Sequence, residues 1–230
     1  MQMKRLGKAD FERLTADAET LAYDSYGVKV QRCTDGRIIK LFRLKRAWSS
    51  ARLWPYARRF QRNAHRLKAL GIPCIESIET YRVDHIDRDM VIYPELEGRS
   101  LRDSLRNPQL HDSERSHAFA QLARLLAALH AKGVMFRSIH FGNVLLQQAG
   151  QLALIDVADL RKRWFGALTT SQRLRNFQHM LRYPEDCDAL RAFGKEQFID
   201  LYLDAAAVGR SQERKLKRKF MEQIPLFSHS

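Results

Sequence analysis

The sequence predicts an α+β fold in two parts, a strand-rich first part and a mainly helical second part. A hairpin signal at Asp35-Gly36 marks the first part. An apolar stripe at helical spacing over residues 119–129, and mostly helical sequence after about Thr170, mark the second. With 230 residues, 45% of them hydrophobic, the chain is long enough to bury a core. Two parts of unlike composition also predict a ligand in a cleft between them.

In the first part, alternating apolar residues around Asp35-Gly36 predict a hairpin over residues 28–42, because both turn positions tolerate positive φ. Apolar residues at helical spacing from Tyr56 to Leu70 predict a helix that Gly71 ends. Two further strands are predicted over residues 75–84 and 89–93.

In the second part, the stripe from Phe119 to Leu129 predicts a long helix, with Asp112 as its N-cap and Gly133 just past its end. Two short strands are predicted next, at Val144–Leu146 and Leu152–Val157. The remainder, from about Thr170, is predicted to be helical, and the two parts join near Pro94–Ser100.

Several classes of protein are excluded or disfavoured. No run approaches 18 apolar residues, which excludes an ordinary membrane-spanning helix. The N-terminus lacks the apolar core of a signal peptide, so we expect a cytoplasmic protein. Cys33, Cys74 and Cys187 are too few and too far apart for a disulfide framework or a zinc cluster.

The charge points to an anionic partner. Lys and Arg total 40 against 26 Asp and Glu, a net charge of +14. Between Arg37 and Ile75 the chain has no acidic residue, and a second basic block spans residues 214–219. The first block comprises Arg37, Lys40, Arg43, Lys45, Arg46, Arg52, Arg58, Arg59, Arg62, Arg66 and Lys68.

Three short motifs occur in the order that kinase-like phosphotransferases use. Residues 36–41, Gly-Arg-Ile-Ile-Lys-Leu, resemble the strand that carries the phosphate-binding lysine, here Lys40. Residues 136–146 resemble the catalytic loop, with an Asn at position 143. Residues 154–158, Leu-Ile-Asp-Val-Ala, resemble the strand that leads into the metal-binding Asp, here Asp156.

The chain resembles the bacterial lipopolysaccharide kinases of the protein-kinase-like superfamily, whose loop has the form His-x-Gly-Asn found at residues 140–143. Residues 93–101 resemble that family's hinge and residues 173–181 its helix after the metal-binding Asp. The resemblance implies one two-lobed domain over residues 1–230, with an antiparallel N-lobe sheet and one helix up to about 94, and a helical C-lobe with a basic tail. It implies ATP and Mg²⁺ as cofactors. The implied site residues are Arg137, Ser138 and His140 for catalysis, Gly27, Lys40, Glu95 and Leu96 for the nucleotide, and Asn143 and Asp156 for the metal.

The sequence also departs from the kinase pattern. Ser138 stands where the catalytic loop has its Asp, and a neutral hydroxyl cannot act as a base near pH 7. The helix expected to offer a Glu to Lys40 has Asn63 or Ala64 at that place. The Gly-rich loop is reduced to Gly27. His140 and Asp159 are alternative bases, although a structural role is favoured for each: hydrogen bonding within the loop for His140, and a cap or an ion pair with Arg161 or Arg163 for Asp159.

Four functions remain open. The favoured one is ATP-dependent phosphorylation of a sugar of the lipopolysaccharide core, or another phosphorylated acceptor, at the cytosolic face of the inner membrane. The residues of the basic tail, Arg214, Lys215, Lys217, Arg218 and Lys219, would attract that anionic surface. The alternatives are a pseudokinase, favoured by Ser138, and an atypical Ser/Thr protein kinase. A plain nucleic-acid-binding protein is disfavoured, because no recognised module is present.

Overall fold

The computed structural model describes residues 3–43 and 55–223. The chain forms two compact units. The N-terminal unit comprises Met1–Ala69 and Cys74–Leu96, and the C-terminal unit comprises Leu70–Pro73 and Glu97–Ser230. A sheet-rich unit is thus followed by a helical one, which confirms the predicted α+β, kinase-like class.

Within the described residues, the N-terminal unit is built on a six-stranded sheet. Its strands are β1 (Lys4–Arg5), β2 (Glu19–Asp24), β3 (Gly27–Arg32), β4 (Arg37–Arg43), β5 (Glu79–Val83) and β6 (Arg88–Pro94). They lie in the order β1-β5-β6-β4-β3-β2, and every pair is antiparallel except β1 with β5. The predicted hairpin at residues 28–42 is confirmed as β3 and β4, with Gly36 in the turn at φ 75°.

The strand predicted over residues 75–84 begins later than expected, at Glu79. Ser77 interrupts the extended run because its φ is 51°, in the left-handed region. The strand β2 was not predicted. Exposed and half-buried residues alternate along β2, and its apolar residues Leu21 and Tyr23 lie on the exposed face. The strand therefore lacks the buried apolar residues by which a strand is recognised in sequence.

In the described part of this unit, two helices cover the sheet, α1 (Lys8–Thr15) and α2 (Tyr56–Ala69). Phe11 and Leu14 of α1 pack on one face of the sheet. On the other face, Phe60 of α2 lies 5.8 Å from Phe42 and 5.5 Å from Tyr93, between ring centroids. The helix α2 confirms the predicted one. The prediction did not include α1, which is short and carries few apolar residues.

The C-terminal unit contains six helices among the described residues. These are α3 (Leu101–Arg106), α4 (Asp112–Ala131), α5 (Thr170–Met180), α6 (Pro184–Phe193), α7 (Lys195–Ala206) and α8 (Arg210–Gln223). Its short strands are β7 (Arg99–Ser100), β8 (Val134–Phe136), β9 (Val144–Leu146), β10 (Leu152–Leu154) and β11 (Leu160–Lys162). The strands form an antiparallel β10-β9-β7 sheet and an antiparallel β8-β11 pair.

The long helix α4 is the core of this unit, as its apolar stripe predicts. Phe119 stacks on Phe193 of α6 with ring centroids 4.3 Å apart and meets Phe198 of α7 edge-on at 6.1 Å. The N-cap is His111 and not Asp112, because the backbone N–H of His111 donates to Glu114 in a capping box.

A buried polar network ties three helices to strand β8. His130 of α4 accepts from the Tyr202 hydroxyl at Nδ1 (2.8 Å), and its Nε2–H donates to Asn176 (3.1 Å). Asn176 in turn donates to the carbonyl oxygen of Phe136, at 2.7 Å. Burial lowers the pKa of His130 to about 3. The network therefore fixes the end of β8, where the candidate catalytic loop starts.

None of the helices in the described ranges is long and apolar enough to cross a membrane.

Candidate active site

The loop that joins β8 to β9 is closed by a hydrogen bond across five residues. The side-chain Nδ2 of Asn143 donates to the carbonyl oxygen of Ser138 at 2.8 Å. A short 3₁₀ turn, Phe141–Asn143, brings Asn143 to the start of β9 and buries it, 8% exposed. Because the amide N–H group is used within the loop, the amide oxygen is the group left to accept a hydrogen bond or bind a cation.

Asp156 lies beside Asn143. Strands β9 and β10 pair Val144 with Leu154, and the backbone N–H of Ile155 donates to the carbonyl oxygen of Asn143 at 3.1 Å. Asp156 is the next residue and has φ 54°, in the left-handed region. This conformation ends β10 at Leu154, three residues before the predicted end. It is one that Asp tolerates better than most side chains do.

Asn143 and Asp156 together offer an amide oxygen and a carboxylate. Magnesium prefers oxygen ligands, and phosphate-transfer enzymes bind it through one or two carboxylates, substrate phosphates and water. These two residues therefore fit the Mg²⁺ that the kinase-like resemblance implies.

Ser138 and Arg137 lie in the same loop, anchored to β11. The backbone N–H of Arg137 donates to the carbonyl oxygen of Asp159 at 3.0 Å, and its guanidinium lies 3.5 Å from the Asp159 carboxylate. Arg182 donates to the carbonyl oxygen of Arg137. The ion-pair partner of Asp159 is therefore Arg137, not Arg161 or Arg163 as the sequence suggested. Ser138 is half-buried.

His140 is held inside the loop as a neutral side chain. Its Nδ1 accepts from the backbone N–H of Gly142 at 3.2 Å, and its ring meets Tyr183 edge-on at 4.9 Å. Burial, with Arg102 nearby, lowers the pKa of His140 to about 4. With Nδ1 occupied, the neutral ring carries its proton on Nε2. This geometry suits a residue that shapes the loop better than a general base.

Two residues that the sequence analysis missed, Asp186 and Arg102, support the loop between β8 and β9. Asp186 of α6 is fully buried and accepts from the backbone N–H of Phe141 at 3.0 Å. Arg102 of α3 donates to both oxygens of the same carboxylate, at 2.8 and 2.9 Å, and stacks on Tyr183. In sequence, Pro184-Glu185-Asp186 indicates only a helix start. The burial of Asp186 depends on a partner 84 residues away.

In the N-terminal unit, Lys40 lies on the central strand β4 and is 6% exposed. Its Nζ is 5.7 Å from the ring centroid of Phe42 and 5.9 Å from that of Phe60, so two aromatic faces surround the ammonium group. Asn63, at the place where the kinase pattern has an acid, is buried on α2.

Gly27 opens β3 with φ 107°, a conformation that side chains rarely adopt. The turn before it is fixed by Arg88, which donates to the carbonyl oxygens of Tyr26 (2.6 Å) and Val28 (2.7 Å). These contacts hold the β2–β3 turn that replaces a Gly-rich loop.

Glu95 is engaged within the N-terminal unit. Arg32 donates to both of its carboxylate oxygens at 2.7 Å, and the backbone N–H of Glu95 donates to the carbonyl oxygen of Gly36 at 2.9 Å. Leu96 follows and is half-buried. The carboxylate of Glu95 thus orders the hinge segment against β3.

The basic tail forms helix α8. Leu216 and Phe220 are buried, Lys217 pairs with Asp200 at 2.6 Å, and Arg218 lies 3.7 Å from Glu222. Arg214 and Lys215 are exposed. Three residues of the first basic block, Lys45, Arg46 and Arg52, lie outside the described residues.

The model of the phosphotransferase enzyme family, APH, matches residues 28–138, slightly less than half of the chain. The match begins in β3, includes Lys40 and ends at Ser138. No curated protein matches the chain. The chain is therefore similar to the phosphotransferase enzyme family from strand β3 to its candidate catalytic loop, which supports a place in the kinase-like phosphotransferase superfamily.

Proposed function

We propose that the protein transfers a phosphoryl group from ATP to a sugar hydroxyl of the lipopolysaccharide core at the cytosolic face of the inner membrane. The observation that carries the phosphotransfer is the juxtaposition of Asn143 and Asp156 at the start of β9 and the end of β10. The resemblance of residues 140–143 to the loop of the lipopolysaccharide kinases supports the substrate class. The net charge of +14 suits a phosphorylated saccharide and an anionic surface.

In this proposal Lys40 holds the nucleotide phosphates, and Asn143 and Asp156 hold Mg²⁺. When bound, Mg²⁺ neutralises charge that develops on the transferred phosphoryl group. The Lys40 ammonium is already desolvated between Phe42 and Phe60, so its attraction to a phosphate is stronger than that of a solvated lysine.

Ser138 would orient the acceptor hydroxyl by a hydrogen bond, since it cannot remove the proton. The phosphoryl transition state is loose, and the acceptor needs little proton removal before the new bond forms. A general base contributes about 10²–10⁴-fold in typical enzymes. We therefore expect turnover that is slow but measurable.

A pseudokinase that binds nucleotide without transferring phosphate is the second candidate. The observation that favours it is the state of His140, whose Nδ1 is occupied by Gly142 and whose pKa is lowered to about 4. Together with Ser138, this leaves the loop without an ordinary base at neutral pH.

Two measurements separate these functions. Thermal shift with ATP, with and without Mg²⁺, reports binding, and single-turnover ADP formation with purified core saccharide reports transfer. Asp156→Ala should abolish the Mg²⁺-dependent shift, whereas Asp188→Asn, an exposed carboxylate on α6, should not. Binding without ADP formation would identify a pseudokinase. Unchanged nucleotide binding by Asp156→Ala would remove Asp156 from the site.

A further inference from the structure

The segment after β11 exposes two large aromatic side chains next to each other. Trp164 is 94% exposed and Phe165 is 85% exposed, the highest values among the large hydrophobic residues of the described chain. We refer to this pair as the aromatic tip. Adjacent exposed aromatics on a protein surface are typical of an interaction site.

The base of the aromatic tip is firmly anchored. The backbone N–H of Arg163 donates to the carbonyl oxygen of Gly133 at 2.9 Å, and that of Leu168 donates to the carbonyl oxygen of His130 at 2.8 Å. The Arg163 guanidinium donates to the carbonyl oxygen of Ala167, on the far side of the bend, at 2.7 Å. The protein therefore holds the tip outward from a fixed base.

Positive charge surrounds the aromatic tip. Arg161 and Lys162 precede it and are exposed, and Lys132 is exposed beside Gly133. From residue 160 to residue 184 the sequence contains no Asp or Glu. An anionic partner would thus meet cations and aromatic rings at one place.

We propose that the aromatic tip, with Arg161 and Lys162, docks the protein on the surface of an anionic phospholipid bilayer. Tryptophan favours the headgroup level of a bilayer, and basic residues near the surface are attracted to anionic lipids. A single-stranded nucleic acid also stacks on aromatic rings, but it needs a basic groove that follows its backbone. Here both rings are exposed on one bend, which suits insertion at the headgroup level of a bilayer.

The position of the tip also bears on the proposed function. Trp164 is five residues beyond Asp159, which contacts Arg137 in the catalytic loop. Five residues span at most about 18 Å. If the proposed function holds, docking would bring the catalytic loop within reach of an acceptor that is anchored in lipid.

The test is co-sedimentation with vesicles of phosphatidylcholine and phosphatidylglycerol, compared with phosphatidylcholine alone, without nucleotide or saccharide. Trp164→Ser combined with Phe165→Ser should weaken binding by about tenfold or more. Arg161→Gln combined with Lys162→Gln should weaken it by about fivefold for each charge removed, and less in high salt.

Two matched controls locate the contact. Tyr23→Ser removes an aromatic residue that is 71% exposed on β2 and should bind as the wild type does. Arg214→Gln combined with Lys215→Gln removes two exposed cations from α8 and should have a smaller effect than the change at Arg161 and Lys162. Equal binding by the tip variant and the wild type would overturn the proposal.

Trp164→Phe gives an independent readout. It should retain vesicle binding and show a smaller vesicle-induced blue shift of tryptophan emission than the wild type, with Trp48 and Trp54 as the remaining emitters. A blue shift as large as that of the wild type would contradict insertion of Trp164. Preferential binding of single-stranded polyuridylate over vesicles, lost in the tip variant, would make the tip a nucleic-acid site and overturn the proposal. Because the assay contains no ATP, its failure leaves phosphotransfer to soluble saccharide unaffected.

Discussion

Asn143 and Ser138 are joined by a hydrogen bond of 2.8 Å from the amide nitrogen of one to the backbone carbonyl oxygen of the other. The residue that aligns with the catalytic Asp and the first candidate metal ligand are therefore parts of one closed loop. A change of the Asn143 side chain is therefore expected to affect both the order of the loop and its chemistry, whereas a change of the Ser138 side chain leaves the backbone acceptor in place.

Asn143→Ala should lower the free energy of unfolding by about 1 kcal/mol, because one intramolecular hydrogen bond is lost. It should also abolish Mg²⁺-dependent ATP binding. Asn143→Asp loses the donor but keeps an oxygen ligand, so it should retain more of that binding. Urea denaturation and calorimetric titration measure the two effects.

Gln147→Ala is the matched control, because it removes a similar side-chain bond, to the carbonyl oxygen of Glu97, outside the loop. It should leave Mg²⁺-dependent binding unchanged. If Asn143→Ala bound ATP with Mg²⁺ as tightly as the wild type, the metal role of Asn143 would be wrong.

Asp186→Asn should destabilise the C-terminal unit by about 3 kcal/mol, because it leaves the partly buried Arg102 without its carboxylate partner. Guanidinium denaturation checks this value. Glu185 adjoins Asp186 in sequence and forms an exposed ion pair with Arg106. Glu185→Gln removes this pair and should lower the free energy of unfolding by less than about 1 kcal/mol. Similar losses for the two variants would show that the buried pair does not hold the loop.

The free energy of unfolding should fall as the pH decreases from about 6.5 to about 4. In this window the unfolded chain binds a proton at His140 and the folded chain, with a pKa of about 4, does not. His130, with a pKa of about 3, acts in the same direction and extends the fall to lower pH.

Each histidine contributes at most about 1.4 kcal/mol per pH unit. His140→Asn keeps an acceptor for the Gly142 N–H, so it should fold and should show a shallower pH dependence between 6.5 and 4. Urea midpoints measured across this range test it. An identical slope in wild type and variant would mean that His140 titrates normally.

Ser138→Asp should produce little or no gain in phosphotransfer. The new carboxylate would lie in the loop closed by Asn143 and would add negative charge next to that candidate metal ligand. Single-turnover ADP formation with core saccharide compares it with the wild type. A rise of about 10²-fold would contradict this expectation and would mean that the base is the only missing element.

Elements specified by local sequence could be predicted. The β3–β4 hairpin depends on an Asp-Gly turn between alternating apolar residues, and α4 depends on one apolar stripe with Gly133 after it. The helix α1 was not predicted, because the sheet residues on which it packs, among them Met90, are distant from it in sequence. Local pattern cannot show such packing.

The residues of the candidate site likewise fall into those that local sequence predicts and those that it does not. Asn143 and Asp156 could be named from their motifs, and the short β9–β10 hairpin brings them together. Asp186 and Arg102 could not, because each owes its position to the other, which is 84 residues away in the chain. Ion pairs of this range have no signature in spacing or composition.

The close approach of Gly133 to the backbone of Gly166 restricts insertions at the end of α4. The φ of Gly133 is 70°, and a Cβ atom at this position would collide with the carbonyl oxygen of Gly166. Any side chain there would force the two backbone segments apart. Insertion of one residue at the end of α4 would rotate the following segment by about 100° and move a side chain into that contact. Related chains that keep the aromatic tip should therefore tolerate no insertion between His130 and Val134.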